Sequence, residues 1–275
     1  MKKNSITLLT SILFALAGCT AVADLAGYDS ATMNQAAAKN YTQVVSQAKS
    51  SRVVDNSSNT SRRIQAVFRR MRPFADAANK TGQPFNWEMT VIRSKELNAW
   101  AMPGGKMAFY TGMVETLNLS DAEIAAVVGH EMTHALLEHS KKAAGQKILT
   151  GLATQIGGQV IQAKTGISAE SINLGADILS EYGIGKPFSR SQESEADAGG
   201  LRLMAQAGYN PEAAISLWEK MNNLEDNNTL AHSILSTHPT NNTRIADLKK
   251  LLPEVMPIYE QSKKAEQPAK GKRRK

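Results

Sequence analysis

The sequence is poor in cysteine and shows no internal repetition. A single cysteine among 275 residues cannot form an internal disulfide, so a disulfide framework is excluded. No segment recurs with a period of about 20–50 residues, which argues against a solenoid. Apolar residues make up 42% and charged residues 21% of the chain, and these proportions exclude wholesale disorder and a collagen-like fibre. The length suits one large globular domain or two small ones.

The formal net charge of the chain is +7, but its central part carries no excess of basic residues. Residues 263–275 carry seven basic side chains and one acidic one, and Lys2 and Lys3 add two basic ones. The rest of the chain has 23 basic and 24 acidic side chains, a net charge of −1. Positive charge confined to the two ends is not the footprint of a nucleic-acid-binding face, so no nucleic-acid partner is expected. Residues 256–275 are predicted to form a basic, disordered tail.

The longest apolar run near the N terminus, Ile6–Ala17, has 12 residues. It is too short to cross a bilayer of about 30 Å as a helix. Two lysines precede it and small residues follow it, an order typical of a secretory signal peptide.

The four residues Leu16-Ala17-Gly18-Cys19 resemble the bacterial lipobox. This resemblance implies that residues 1–18 are a lipoprotein signal peptide and that Cys19 is lipidated and holds the chain at a membrane. An ordinary signal peptide followed by a chance cysteine is the alternative. Thr20 follows Cys19 directly, and a threonine at this position resembles the sorting signal of outer-membrane lipoproteins. We therefore expect a lipid-anchored protein on the periplasmic face of the outer membrane of a Gram-negative bacterium.

Residues 19–60 are mostly polar and are predicted to be a tether to the membrane, with a short helix possible at Asn34–Lys49. The folded domain is predicted to span residues 61–255. Helical spacing of apolar residues predicts a helix over residues 61–80. Strands are predicted near residues 87–92, Leu97–Met102 and Lys106–Tyr110, with a turn at Pro103-Gly104-Gly105. The apolar stretch Ile148–Ile161 suits either a lid or a core helix.

The segment from Ser120 to His134 carries the strongest chemical signal. Ser120 and Glu123 form a capping box, which predicts a helix through about Lys142. This helix contains His130-Glu131-Met132-Thr133-His134, the HExxH pattern, which this composition would produce by chance only about 0.005 times. Residues four apart share a helix face, so both imidazoles can bind one Zn²⁺ ion. Glu131 lies about 100° round the helix and is placed to act as a general base.

A third ligand is expected from a second acidic helix near residue 193. Glu193 and Asp197 are four residues apart, so one can bind the metal while the other accepts the N–H of a ligating histidine. Glu195 lies about 200° from Glu193 on a helix and is expected to be a surface or salt-bridge residue. His139 is expected to lie opposite His130, as an exposed or core-edge side chain and not a ligand.

Together these motifs resemble the gluzincin metallopeptidases. The run Ser189-Arg190-x-x-Glu193-x-Glu195-Ala196-Asp197 is similar to one gluzincin family, which includes the CAAX prenyl protease, the heat-shock protease HtpX, the mitochondrial protease OMA-one and periplasmic outer-membrane-associated proteases. The segment 98–105 resembles that family's Asn-Ala-Phe-Ala-x-Pro-Gly-Gly hairpin, with Trp100 in place of Phe. His238-Pro239 and Arg244-Ile245 resemble its late His-Pro and Arg-Ile motif.

The resemblance implies an α+β fold, mainly helical, with a small β-sheet. An edge strand would bind extended substrate as an added strand; it comprises Asn98, Ala99, Trp100 and Ala101. One Zn²⁺ per chain would bind to His130, His134 and Glu193. Catalysis would use Glu131 as the base, with Asp197 orienting a ligating histidine and with His238 and Arg244 stabilising the oxyanion.

The expected function is that of a lipid-anchored zinc metalloendopeptidase that hydrolyses unfolded or misfolded proteins, especially those of the outer membrane. The alternative is a non-proteolytic lipoprotein that acts as a scaffold or chaperone in outer-membrane assembly. An intact HExxH motif argues against the alternative, because a structural zinc site prefers four protein ligands and has no use for Glu131.

Overall fold

A computed structural model describes residues 18–156, 187–224, 232–238 and 242–266. Residues 18–25 are helical, and the helices that follow are α1 (Ser30–Ser50), α2 (Asn59–Ala78), α3 (Thr111–Leu117), α4 (Asp121–Leu136), α5 (His139–Ile156), α6 (Arg190–Gln206), α7 (Ala213–Asn222), α8 (His232–Thr237) and α9 (Asn242–Glu266). The strands are β1 (Glu88–Ile92), β2 (Ala99–Met102) and β3 (Lys106–Tyr110). The predicted fold class, mainly helical α+β with a small sheet, is confirmed. Within the described ranges, none of the helices combines the length and apolarity that a membrane span needs.

The three strands form one mixed sheet in the order β1-β3-β2. β1 runs parallel to β3, and β2 runs antiparallel to it. The β2–β3 hairpin turns at Pro103–Gly105, where Gly104 and Gly105 have φ angles of 73° and 81° that side-chain-bearing residues rarely adopt. A Cβ on Gly105 would also lie 2.5 Å from the ring of Trp87, so this turn requires glycine twice over.

The main core lies between one face of the sheet and helices α2, α4, α6, α7 and α9. α2 contributes an apolar stripe of Ile64, Phe68 and Met71 at helical spacing, as the sequence predicted. Helices α4 and α6 pack most closely, because glycines meet where they cross. A Cβ on Gly200 of α6 would lie only 2.8 Å from the backbone nitrogen of His130 on α4.

A second, smaller core lies on the other face of the sheet, under α1. Met33, Ala37 and Tyr41 of α1 are buried there at intervals of four residues, and Tyr41 meets the ring of Trp100 edge-on at 6.2 Å. Residues 30–50 therefore belong to the folded body and not to a tether. Their polar composition concealed a narrow apolar stripe that the sheet covers.

The C-terminal end of the folded body also differs from the expectation. α9 continues through Glu266, whereas the tail was predicted to begin at residue 256. Val255, near the middle of α9, is buried in the main core. Residues 267–275 lie outside the described residues, as do residues 1–17 of the expected signal peptide. Residues 157–186, which include the end of the stretch Ile148–Ile161 predicted to be a lid or core helix, also lie outside them.

Candidate metal centre and active site

Helix α4 brings the two histidines of the HExxH motif together. The predicted capping box starts this helix, with the Ser120 and Glu123 side chains each accepting the other residue's backbone N–H. One turn apart on a buried face, His130 and His134 point their Nε2 atoms at each other, 3.0 Å apart. Two lone-pair nitrogens at this distance can face a common ligand.

Helix α6 supplies a carboxylate to the same point. Ser189 caps this helix, and Glu193 lies in its first turn. The Glu193 oxygens lie 3.4 Å from His130 Nε2 and 3.4 Å from His134 Nε2. The glycine contact between α4 and α6 thus unites residues that are about sixty positions apart in the sequence.

The structure adds His238 to this group. Its Nδ1 lies 3.0 Å from Glu193 Oε1 and 3.2 Å from His130 Nε2. Donor atoms of His130, His134, Glu193 and His238, one from each residue, lie within 4.8 Å of one another, and all four residues are buried. The sequence motif drew attention to His238, but no spacing rule could place it among metal donors that are 45 to 108 residues away.

Zinc fits this donor set. Imidazole and carboxylate are ligands that Zn²⁺ prefers, and His130, His134 and Glu193 can hold it with the fourth tetrahedral position left open. In the described residues this is the group of histidine, cysteine and acidic side chains that can hold a metal ion.

Asp197 and Arg244 support His130 from behind. His130 Nδ1 lies 3.0 Å from Asp197 Oδ1, and Arg244 of α9 donates to both Asp197 oxygens at 2.6 and 2.8 Å. The third nitrogen of the guanidinium lies 2.9 Å from Glu193 Oε2. The guanidinium also stacks over the ring of Trp218, at 3.7 Å from its centroid. Arg244 therefore binds the two carboxylates, and no sequence motif indicated its contact with Trp218.

The buried charges of the cluster favour a cation. Burial raises the pKa of Glu193, but hydrogen bonds from three histidines outweigh burial and hold this pKa far below its usual range. For Asp197, hydrogen bonding to His130 and the charge of Arg244 likewise overcome burial and lower the pKa. Burial lowers the pKa of His130, yet the hydrogen bonds to Asp197 and Glu193 raise it to about 9. Burial, together with the charges of His130 and His238, lowers the pKa of His134 well below its usual value despite the hydrogen bond to Glu193.

Glu131 lies beside the donor atoms without joining them. Its Oε1 is 3.3 Å from His238 Nε2, and its side chain is buried. Burial raises the pKa of Glu131, a shift that the positive charges of His238 and His130 partly offset. A carboxylate with a raised pKa can both take and return a proton near neutral pH, as a general base requires.

Comparison with known proteins agrees with this geometry. The model of the family described as "Peptidase family M48" matches residues 58–252. The chain belongs to this family. The sequence-based assignment to the family of the CAAX prenyl protease type is thereby confirmed.

Individual M48 relatives match over the same part of the chain. The mitochondrial metalloendopeptidase OMA1 of Schizosaccharomyces pombe is 36% identical over 171 residues, which cover 61% of this chain and 47% of the relative. The metalloprotease LoiP of Escherichia coli is 32% identical over 178 residues, 62% of this chain and 64% of LoiP. The metalloprotease YcaL of the same bacterium is 28% identical over 171 residues, 62% of this chain and 63% of YcaL. The chain thus matches about half the length of the yeast relative.

The position of His139 in this M48 chain was not foreseen. Its side chain is 0% exposed, with Nδ1 2.8 Å from His134 Nδ1 and Nε2 3.1 Å from Glu195 Oε2. The prediction of an exposed or core-edge histidine opposite His130 assumed a continuous helix. Instead α4 ends at Leu136, and Glu138 at φ 53° turns the chain before α5 begins at His139. Burial lowers the pKa of His139 to about 4.

Strand β2, the expected substrate strand, lies against the active-site helix of the M48 domain. Asn98 immediately precedes this strand, and among the described residues β2 pairs with β3 on one side only. The side chains alternate as a strand requires. Ala99 and Ala101 pack into the main core with α4, whereas Trp100 packs under α1.

Cys19, the expected lipidation site, lies against α5. Its Sγ is 3.3 Å from Gln146 Oε1, and its carbonyl oxygen lies against Gly145, where a Cβ would overlap it. Cys19 also lines a cavity of about 590 Å³ shared with Phe188 and Glu195. Phe188 in turn stacks on the ring of His134 at 4.1 Å, so the expected anchor lies near the metal centre.

Proposed function

We propose that this protein is a zinc metalloendopeptidase. The observation that carries the proposal is the buried group of His130, His134, Glu193 and His238, with Glu131 directly beside it. Membership of peptidase family M48 supports it, as do relatives that are named metalloendopeptidases and metalloproteases.

His130, His134 and Glu193 would hold the metal, in agreement with the ligand set expected from the sequence. When bound, zinc supplies a Lewis acid that polarises the scissile carbonyl and favours ionisation of water. Asp197 accepts the Nδ1 proton of His130, which leaves the Nε2 lone pair of His130 free for the metal. Arg244 holds Asp197 and Glu193 in place through its contacts with both carboxylates.

Glu131 acts as the general base and then as the general acid. It takes a proton from the attacking water and delivers it to the leaving amine, a role suited to its buried position and raised pKa. His238 Nε2 faces Glu131, so a proton on this nitrogen lies close enough to the reacting carbonyl to stabilise its developing negative charge. This role is the one the sequence predicted for His238, although its Nδ1 also faces the metal donors.

We propose that the substrates are unfolded or misfolded polypeptides, including proteins of the outer membrane. Strand β2 would bind such a chain in extended form along its free edge, with Asn98, Ala99, Trp100 and Ala101 facing it through their backbone. Backbone hydrogen bonds select an extended conformation more than a particular side chain. A folded protein presents few such segments.

The test compares Glu131→Gln with wild type. The glutamine keeps the size of the side chain but cannot accept the water proton, so we expect casein cleavage to fall below detection while zinc content stays near one ion per chain. Glu219→Gln, a change at an exposed side chain of α7 that lies beside Lys249, is the matched control and should cleave at the wild-type rate. A Glu131→Gln protein that cleaves casein normally would favour the non-proteolytic scaffold or chaperone.

We further propose that Cys19 is lipidated and that the protein is anchored to the periplasmic face of the outer membrane. The lipobox-like sequence before Cys19 supports this. Radiolabelled palmitate should enter the wild-type chain but not Cys19→Ala, and the variant should leave the membrane fraction or persist as precursor. Absence of label in the wild type would refute the anchor and leave the peptidase proposal intact.

A further inference from the structure

We propose that His139 and Glu195 are positioning residues that hold His134 in the tautomer and orientation needed to bind the metal. The inference rests on the proposed metal centre. It assigns a role to two side chains that the proposed chemistry does not otherwise use. The residues act through a chain of hydrogen bonds, His134 to His139 to Glu195.

The direction of these hydrogen bonds follows from the two ring nitrogens of His134. Its Nε2 points to the other donors, 3.0 Å from His130 Nε2 and 3.4 Å from Glu193 Oε1. A metal on that side requires the Nε2 lone pair, so the ring proton must be on Nδ1. His134 Nδ1–H then donates to His139 Nδ1 at 2.8 Å. His139 carries its own proton on Nε2 and donates it to Glu195 Oε2 at 3.1 Å.

The surroundings fix His139 in this position. The left-handed backbone at Glu138 ends one helix and begins the next, which places a residue five positions after His134 directly against it. The Gln192 side chain of α6 donates to the His139 carbonyl at 3.2 Å and ties the start of α5 to α6. Phe188 stacks on the His134 ring, with the ring centroids 4.1 Å apart, and limits the rotation of that ring.

Glu195 is the last member of this chain of hydrogen bonds and lies at the protein surface. Its side chain is 48% exposed, and Lys142 of α5 lies 3.3 Å from the same oxygen that accepts from His139. Glu195 is thus a salt-bridge residue on the far side of α6 from Glu193, as the sequence indicated, but one that also reaches His139. Hydrogen bonding to His139 and the charge of Lys142 lower the pKa of Glu195 despite its partial burial.

Each HExxH histidine therefore has its own carboxylate on α6. His130 reaches Asp197 directly, whereas His134 reaches Glu195 through an intervening imidazole. An outer carboxylate that fixes a ligating histidine is a recurrent device of zinc sites. Inserting an imidazole allows the carboxylate to lie on the opposite flank of the helix.

The test uses two substitutions at His139 that differ in one property. His139→Leu introduces an apolar side chain of similar size that offers His134 no acceptor. His139→Asn instead retains a carbonyl oxygen near the position of Nδ1. We expect zinc to bind about 10–100-fold more weakly to His139→Leu, the usual effect of losing an outer partner, and Asn to restore most of the affinity. The measurement is the rate of zinc release to a chromogenic chelator, together with the visible spectrum of the Co²⁺-substituted protein.

Glu195 supplies a second arm, because its half-exposed side chain can be changed without disturbing the core. Glu195→Leu removes the acceptor and should speed zinc release roughly 10-fold, while Glu195→Gln keeps an acceptor oxygen and should stay close to wild type. Glu219→Gln, distant from the cluster, is again the control. This arm decides the proposal even if His139→Leu does not fold.

The outcomes separate positioning from simple packing. The proposal is overturned if His139→Leu and Glu195→Leu release zinc at the wild-type rate. It is also overturned if both lower the unfolding midpoint of the metal-free protein while Asn gives no rescue of zinc affinity. Because zinc release is measured without a peptide, a wild-type protein that binds zinc but cleaves nothing would refute the peptidase and leave the positioning role standing.

Discussion

Three carboxylates within five residues of α6 have three different roles because of their position around the helix. Glu193 faces the metal donors, Asp197 lies one turn later behind His130, and Glu195 lies on the other flank beside His139. A rotation of about 100° per residue produces this division without any further device. The role of each carboxylate is thus determined more by its angular position around the helix than by its chemical identity.

Exchanging single oxygens tests that division directly. Glu193→Gln should lose tightly bound zinc and all proteolysis, because a neutral amide is a poor ligand beside imidazoles. Glu195→Gln should keep its zinc and most of its activity, since its salt bridge is half exposed and worth at most about 1 kcal/mol. Zinc content and peptide cleavage are measured for both proteins. A zinc-free Glu195→Gln beside a zinc-loaded Glu193→Gln would reverse the assignment.

The sequence could predict the residues whose partners are helical neighbours. His130 with His134, and Glu193 with Asp197, follow from a spacing of four, which places two side chains on one face. The contacts of His139 and His238 depend on where a helix breaks and how distant segments dock. A left-handed Glu138 leaves no trace in an apolar pattern, so the break after Leu136 was invisible.

At the scale of elements, the crossing of α4 and α6 sets the geometry of the site. Gly129 and Gly200 let the two backbones approach so closely that a Cβ on either would lie within 3 Å of the partner helix. This approach places Glu193 and Asp197 against the histidines of α4. The glycines therefore shape the metal site, although they supply no donor atom.

We expect Gly200→Ala to weaken zinc binding without altering any metal-binding side chain. In the interior of a helix, alanine is usually more favourable than glycine by about 1 kcal/mol of folding free energy. Here the added methyl meets the backbone of His130 and Gly129, which cannot rotate aside, and overpacking of this kind costs about 1–3 kcal/mol. Urea unfolding of the metal-free protein and zinc titration measure the two effects. Ser194→Ala, on the exposed face of the same helix, is the control, and equal zinc affinity in both variants would contradict the argument.

Among the elements, those with strong local signals were predictable, whereas for α1 the sequence indicated only a possible helix at Asn34–Lys49 and not its burial. The capping box of α4, the apolar stripe of α2 and the glycine turn between β2 and β3 each follow from local chemistry. α1 is mostly polar, and its burial depends on a sheet face whose existence only the fold reveals. Tertiary contacts decide whether such a helix is exposed or buried.

At the scale of the whole molecule, the metal centre joins segments that are far apart in sequence. His130 contacts side chains that follow it by 67, 108 and 114 positions, on α6, after α8 and on α9. Each such contact closes a long loop of chain, and closing these loops costs conformational entropy. A metal that binds only the assembled site should therefore stabilise the entire fold.

Removal of the metal should lower the unfolding temperature of the wild type. With free zinc at about 1,000 times the dissociation constant, binding stabilises the native state by roughly 4 kcal/mol. For a chain of this size that corresponds to a rise of roughly 8–16 °C in the unfolding midpoint. Calorimetry with zinc and with a chelator measures the difference. His134→Ala should show the same midpoint in both, and an equal zinc response in this variant would place the stabilising ion elsewhere.

The packing of α1 against the sheet also determines how far the metal centre can move from Cys19. A flexible linker of about 40 residues would allow a root-mean-square excursion of roughly 35 Å from its anchor. In this protein most of that length is folded, and Cys19 itself lies against α5. With a lipid on Cys19, as proposed, the active site would stay within a thin layer beside the bilayer. Substrates confined to the same layer would then meet it at a high effective concentration, while chains diffusing in the bulk would seldom do so.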